Sequence, residues 1–136
     1  MKNNCKAKYK NSILLLKIMK SQKDCVFCKI VKKEIPAKFV EETNNFIAIL
    51  DANPKTEGHT LIIPKKHFVT ILDVPSTLAQ EMHKLMQNVS SNFLEKKQGD
   101  GFNIIMNNLA PAGQVVMHAH IHIIPRKEND GLKTIA

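Results

Sequence analysis

The run His118-Ala119-His120-Ile121-His122 sets imidazoles at alternate positions near the end of the chain. In an extended strand, residues two apart share a face and lie about 6.5–7 Å apart along it. The three rings would therefore line one face, with Ala119, Ile121 and Ile123 directed to a core. Imidazoles are costly to bury without partners and add little to packing. Placing three of the chain's six histidines on one face points to chemistry at neutral pH, where imidazole is the natural acid, base or nucleophile. Three chemistries use such a row. Two or three rings can bind a catalytic zinc. One ring can serve a cysteine or serine nucleophile, or one can be the nucleophile itself while its neighbours bind phosphate. The segment Asn107–Gly113 with Gln114 runs directly into the row. A polar, glycine-containing loop of this kind can offer backbone N–H groups and amides to an anion.

The row must be held by elements, and the pattern from Asp24 onward supplies them. Asp24 can cap a short helix through Lys33, with Val26, Phe27, Ile30 and Val31 at helical spacing and Ile35-Pro36 after it. Lys38–Glu42 and Phe46–Leu50 read as a strand pair around Thr43-Asn44-Asn45. Asp51–Gly58 is a loop rich in breakers, and His59–Pro64 a strand of β-formers. Asp73 and Pro75 announce a main helix over Ser76–Lys97, with Leu78, Met82, Leu85, Val89 and Phe93 on one stripe. Gly99-Asp100-Gly101 stops it. Phe102–Met106 is a strand, and Val115–Ile124 a long strand ended by Pro125. Hairpins plus one long helix imply an α+β domain with an antiparallel sheet.

At 136 residues the chain suits one domain. Its net charge of +8 would ordinarily suggest nucleic acid, but residues 1–23 hold seven lysines and no acid. The remainder has 13 basic against 12 acidic residues, and Arg126 is its one arginine. That is poor equipment for bidentate reading of bases or phosphates, so no nucleic-acid partner is expected. Residues 1–23 form a basic extension to a domain over 24–136, and Met19 is an alternative start. No run reaches the length of a membrane span, so no membrane partner is expected. Lys17 interrupts the apolar run Ser12–Met19, which lacks a small-x-small cleavage site. Three cysteines do not make a disulfide framework. The expected setting is cytoplasmic and reducing, which leaves the Cys25-x-x-Cys28 pair free for a metal.

His118-Ala119-His120-Ile121-His122-Ile123-Ile124 closely resembles the signature of the histidine-triad (HIT) family, of its Hint-like nucleotidyl-hydrolase type. The likeness extends over about residues 24–126. Asp24–Ile30 through Glu34-Ile35-Pro36 is similar to the family's opening helix, Gly58–His67 to its central strand, and Gly113-Gln114 to the approach to the triad. Several blocks in the right order are far more specific than one short motif.

The resemblance implies a five-stranded antiparallel sheet with one short and one long helix, pairing into a continuous sheet in a homodimer. It implies an enzyme that releases a purine nucleoside monophosphate from a phosphoramidate or adenylate. On that pattern His120 attacks the α-phosphorus and forms a covalent nucleotidyl-histidine. His122 contacts the phosphoryl oxygens or assists the leaving group. Asn107, Gly113, Gln114 and the backbone of Val115 line the phosphate pocket, and Asp51 binds the ribose. Phe27, Ile30, Ile49 and Leu50 wall the base. By residue type alone, Asp51 and Asn107 are equally turn residues, and Phe27, Ile30 and Ile49 equally core. His59, at the start of its strand, is a further candidate for the phosphate site, whereas His83 reads as structural. Val115 stands where many nucleoside phosphoramidases carry a serine, so a hydroxyl contact is missing.

Cys25, Cys28, His67 and His118 match positions that hold a structural zinc in some members, and two thiolates with two imidazoles suit tetrahedral zinc. No organic cofactor is expected. The alternatives within enzymes are a dinucleoside polyphosphate hydrolase or nucleotidyl transferase using the same intermediate, and a zinc-dependent hydrolase. Outside enzymes, the alternative is a nucleotide-binding regulatory module.

Overall fold

The computed structural model describes residues 24–133, and the basic extension expected over 1–23 lies outside them. A short helix, α1 (Val26–Val31), leads into strands β1 (Phe39–Glu42), β2 (Phe46–Leu50) and β3 (Thr60–Pro64). A 3-10 turn at Ser76–Leu78 opens the long helix α2 (Ala79–Glu95), followed by β4 (Gly101–Ile105) and β5 (Ile121–Arg126). The five strands form one sheet in the order β1-β2-β3-β5-β4, and every neighbouring pair is antiparallel. The expected α+β fold is therefore the one observed. Among the described residues, no helix is long and apolar enough to cross a membrane.

The strand sequences explain the layering. β2 and β3 are nearly continuous apolar runs, because both their faces are covered. On one face Phe46, Ala48, Ile62, Ile121 and Ile123 pack against Leu85, Val89 and Phe93 of α2. On the other, Ile47, Ile49, Leu61 and Ile63 pack against Phe27 and Ile30 of α1. β1 and β4, at the two edges, alternate half-buried and exposed residues.

Three expectations need correction. Cys25, not Asp24, caps α1: its Sγ accepts the Cys28 N–H at 3.4 Å. The helix also stops at Val31, because Lys33 turns left-handed (φ 63°). His83, which reads as structural in the sequence, is exposed on α2. The largest correction concerns the last strand, which begins at Ile121 instead of Val115 and continues through Pro125. Before Ile121 the chain is drawn to the loop after β3, where the Ala119 N–H donates to the Phe68 carbonyl at 2.7 Å. At the far end, β3 pairs with β5 only as far as Ile123. Pro125 thus has a strand neighbour on one side alone, where a missing N–H is tolerated.

Glu81, in the first turn of α2, ties this helix to the β1–β2 turn. Its carboxylate accepts from the Thr43 hydroxyl (2.6 Å), the Asn45 N–H (2.8 Å) and the Asn45 side-chain amide (2.8 Å). These hydrogen bonds hold its pKa below the ordinary value of 4.5. A group with a lowered folded pKa stabilises above its unfolded pKa and loses that effect as pH falls. Glu81→Ala should cost about 1–2 kcal/mol in urea unfolding at pH 7. The gap from the unaltered protein should narrow as pH drops below about 4.5. An equal gap at pH 7 and pH 3 would show that the carboxylate is not the tie.

Candidate active site

His118 and His120 lie on the segment entering β5, and His122 is its second residue. The rings still form a continuous group. His120 and His122 have ring centroids 5.0 Å apart, Phe27 stands edge-on 5.0 Å from His120, and His59 lies 5.1 Å from His122. His59, offered above as a candidate, is thus in the group.

Backbone groups decide which nitrogen of each ring carries hydrogen. His120 Nδ1 is 2.7 Å from the His118 carbonyl oxygen, which can only accept. Nδ1 is therefore protonated, and Nε2 keeps its lone pair. His118 Nε2 is 2.7 Å from the Pro64 carbonyl, so His118 keeps its lone pair on Nδ1. The Lys55 N–H donates to His59 Nδ1 at 3.0 Å, so His59 carries its hydrogen on Nε2. That hydrogen points to His122 Nδ1 at 2.9 Å and leaves His122 with hydrogen on Nε2. Asp51 Oδ2 stands 3.5 Å from His59 Nε2 and 3.9 Å from His122 Nδ1.

The site keeps these rings uncharged. Burial pushes His118 and His122 down to about 4, and neighbouring histidines add to the effect. Burial also lowers His120 and His59. An unprotonated Nε2 on His120 is a competent nucleophile, and an Nε2–H on His122 is a hydrogen-bond donor without charge.

The preceding loop is shaped by Gln114. Its side-chain oxygen accepts the Leu109 N–H at 2.6 Å, its amide donates to the Val69 and Val116 carbonyls, and its own N–H donates to Leu109. The Gln114 side chain is thus occupied in bracing the loop. Leu109 is held at φ 70°, ψ 160°, a region that costs a non-glycine residue about 1–3 kcal/mol. Gly113 is left-handed (φ 93°), and a Cβ there would meet the Asn107 amide at 3.4 Å. Val115 is 89% exposed. Among the described residues, the Val115 and Val116 N–H groups have no acceptor, so this loop can offer them to an anion.

Phe27, Ile30 and Ile49 share one apolar cluster, and Phe27 stands beside His118 and His120. Leu50 is outside it. It follows Ile49 on β2 and so points to the opposite face, where it is 36% exposed.

Cys25, Cys28, His67 and His118 form a second cluster, their ligand atoms all within 4.8 Å of one another. Cys25 Sγ lies 3.3 Å from His118 Nδ1, and Cys28 Sγ lies 3.2 Å from His67 Nδ1 and 3.5 Å from His118 Nδ1. Edges of tetrahedral zinc with sulfur and nitrogen ligands are about 3.3–3.8 Å, so these residues fit such an ion. Burial and the neighbouring Cys25 push the Cys28 thiol up to about 12, so its thiolate needs a cation. Asp51, His59 and His122 also approach one another, but the Lys55 N–H occupies His59 Nδ1 and directs hydrogen to Nε2, which disfavours metal there.

Several of these groups had no signal in the sequence. The carbonyls of Pro64 and His118 and the N–H of Lys55 set the tautomers, and backbone groups carry no residue-type signature. Asn108, which accepts the Ile71 N–H at 2.8 Å and ties two loops, has only the signature of a turn residue.

A family model described as HIT domain matches residues 32–129. The chain is 45% identical over 111 residues to the adenylylsulfatase HINT3 of Arabidopsis thaliana. That match covers 82% of this chain and 56% of the relative, so the chain spans little more than half of that protein. It is 38% identical over 114 residues to the adenosine 5'-monophosphoramidase HNT1 of Candida albicans, covering 81% of this chain and 75% of the relative. Among solved structures, a Zn-bound histidine triad family protein from Mycobacterium smegmatis is 41% identical with a TM-score of 0.75, over 80% of this chain and 79% of that one. From the end of α1 to the turn after β5 the pattern is continuous, and the chain belongs to the HIT family.

Proposed function

We infer that the protein is a nucleotide hydrolase that releases a purine nucleoside monophosphate from a phosphoramidate or adenylate through a covalent intermediate on His120. One observation carries this reading. The His120 ring is uncharged, with Nδ1–H fixed on the His118 carbonyl and the Nε2 lone pair free beside His122. His120 Nε2 attacks the α-phosphorus, the bond to the leaving group breaks, and water then cleaves the phosphorus–nitrogen bond. His122 Nε2–H and the free N–H groups of the Val115 loop steady the phosphoryl oxygens. Phe27, Ile30 and Ile49 receive the base and Asp51 the ribose. The names of the Arabidopsis and Candida relatives support the hydrolase class. His120→Gly should lower turnover of an adenosine phosphoramidate or adenylate by about three orders of magnitude or more. Intact-mass spectrometry of the unaltered enzyme, quenched during turnover, should find the nucleotidyl adduct. Near-normal turnover by the variant, with contamination excluded, would overturn the mechanism.

Cys25, Cys28, His67 and His118 hold a structural zinc in this reading, with His118 binding through Nδ1. Zinc supplies folding energy there and takes no part in the reaction. Metal analysis of freshly purified protein should find about one zinc per chain. Cys28→Ser should lower Tm by roughly 5 °C or more. Protein that is metal-free as isolated, or a variant with unchanged Tm, removes this assignment.

The functional unit is a homodimer. β4 is a sheet edge whose Phe102 and Ile104 are 38% and 48% exposed, and pairing of two such edges continues the sheet. Sedimentation equilibrium should return twice the chain mass of 15.3 kDa. A monomer at micromolar concentration would contradict it.

A further inference from the structure

The cluster of Cys25, Cys28, His67 and His118 gathers three separate stretches of chain, and each stretch also carries a group that aims the His120 ring. The first is His118 itself. Its ring is fully buried, with Nε2 on the Pro64 carbonyl and Nδ1 turned to both sulfurs. Its own carbonyl oxygen accepts from His120 Nδ1 at 2.7 Å.

The second stretch is the loop after β3. His67 is followed by Phe68, whose carbonyl accepts the Ala119 N–H at 2.7 Å. A trans peptide is planar, and its C=O and N–H point in opposite directions. The His118 carbonyl and the Ala119 N–H belong to one such plane. Phe68 therefore holds one side of the plane whose other side holds His120. A shift of the Phe68 carbonyl turns the plane and swings the His118 oxygen off His120 Nδ1. The third stretch is the Cys25-Val26-Phe27-Cys28 turn. Phe27, in the chain between the two cysteines, is buried with its ring edge-on to His118 at 5.8 Å and to His120 at 5.0 Å. Sulfur lies 3.2–3.5 Å from imidazole nitrogen in the cluster, but thiols are weak hydrogen-bond partners and hold the three stretches together poorly. One tetrahedral ion bound to all four residues fixes their mutual distances.

We propose that Cys25, Cys28 and His67 are positioning residues for the nucleophile: joined to His118 by their metal, they keep the His118 carbonyl and the Phe27 ring in place against His120, so that kcat depends on an intact ligand set. The proposal rests on His120 as nucleophile and on metal at this cluster. The ion touches neither the substrate nor a reacting atom. Its effect passes through the tautomer of His120. A displaced His118 carbonyl leaves Nδ1 without its acceptor, and the ring then samples both tautomers. In one of them Nε2 carries the hydrogen and cannot attack. Asp51, Ile49 and the Val115 loop belong to other stretches of chain, so nucleotide binding suffers less than the chemical step.

The test uses His67→Gln, which leaves three ligands for the metal, with folding followed by circular dichroism and assays run well below its Tm. For adenosine 5'-phosphoramidate, kcat should fall fivefold or more while KM stays within twofold. Long-range proton–nitrogen NMR spectra of the imidazoles should show His120 as one tautomer in the unaltered protein and as a mixture in the variant. His67→Cys, which completes a set of three thiolates and one imidazole, should recover both. Loading the unaltered chain with cadmium, whose longer bonds spread the four ligands, needs no variant and should also shift the His120 ring resonances. A lowered Tm with unchanged kcat and an unchanged His120 spectrum would mark a purely structural cluster and overturn the proposal. Identical His120 resonances with zinc and cadmium would do the same, as would protein that is metal-free as isolated. If the unaltered protein turns over no nucleotide, the nucleotidyl-histidine reading fails, and the ring spectra still decide whether the cluster sets the His120 tautomer.

Discussion

The hydrogen bond from His120 Nδ1 to the His118 carbonyl, 2.7 Å long, is the constraint on which the site's chemistry depends. A carbonyl can only accept, so the ring has one allowed tautomer and one direction for its lone pair. Burial then disfavours the third possibility, a protonated ring. The same logic runs through the neighbours. The Pro64 carbonyl fixes His118, and the Lys55 N–H fixes His59 and, through it, His122. Four rings that could adopt many protonation patterns are reduced to one by three rigid backbone groups. Side chains in those roles would add rotamer freedom that the backbone does not have.

His118 links this arrangement to the second cluster. Its carbonyl holds His120, while its ring reaches from the Pro64 carbonyl to Cys25 and Cys28. The Ala119 N–H, between the two histidines, is held by Phe68. The segment 118–120 is thus fastened to α1 through the cysteines and to the loop after β3 through Pro64 and Phe68. That fastening draws the chain out of the regular strand that alternation in the sequence suggested. Had β5 begun at Val115, the His118 and Ala119 groups would have been committed to a ladder, and the His67 loop could not have met them.

The alternation of apolar residues in β2 and β3 and the stripe on α2 made the sheet and its covering helix legible, because burial on a given face demands that periodicity. Which residues gather at the site was largely legible too: His118, His120, His122, His59, Asp51 and the Cys25–Cys28 pair carry distinctive chemistry. What stayed hidden was their mode of support. Glutamine before the triad signalled a polar contact, but nothing in its type distinguishes a ligand for phosphate from a brace for a loop. Only the three-dimensional path shows Gln114 spending its amide on Leu109, Val69 and Val116. Leu50 takes the face opposite Ile49, because adjacent residues on a strand cannot both face α1.

The brace has its own consequence. Leu109 is an L-residue kept in a backbone region suited to glycine, and two hydrogen bonds to Gln114 hold it there. Such strain persists only where surrounding contacts outweigh it. The strained turn leaves the Val115 and Val116 N–H groups without an acceptor among the described residues. A relaxed loop would satisfy those donors internally and would have to release them each time an anion arrived. In the proposed reaction these donors would meet the anion already in place, so that the reorganisation falls in folding rather than in the chemical step.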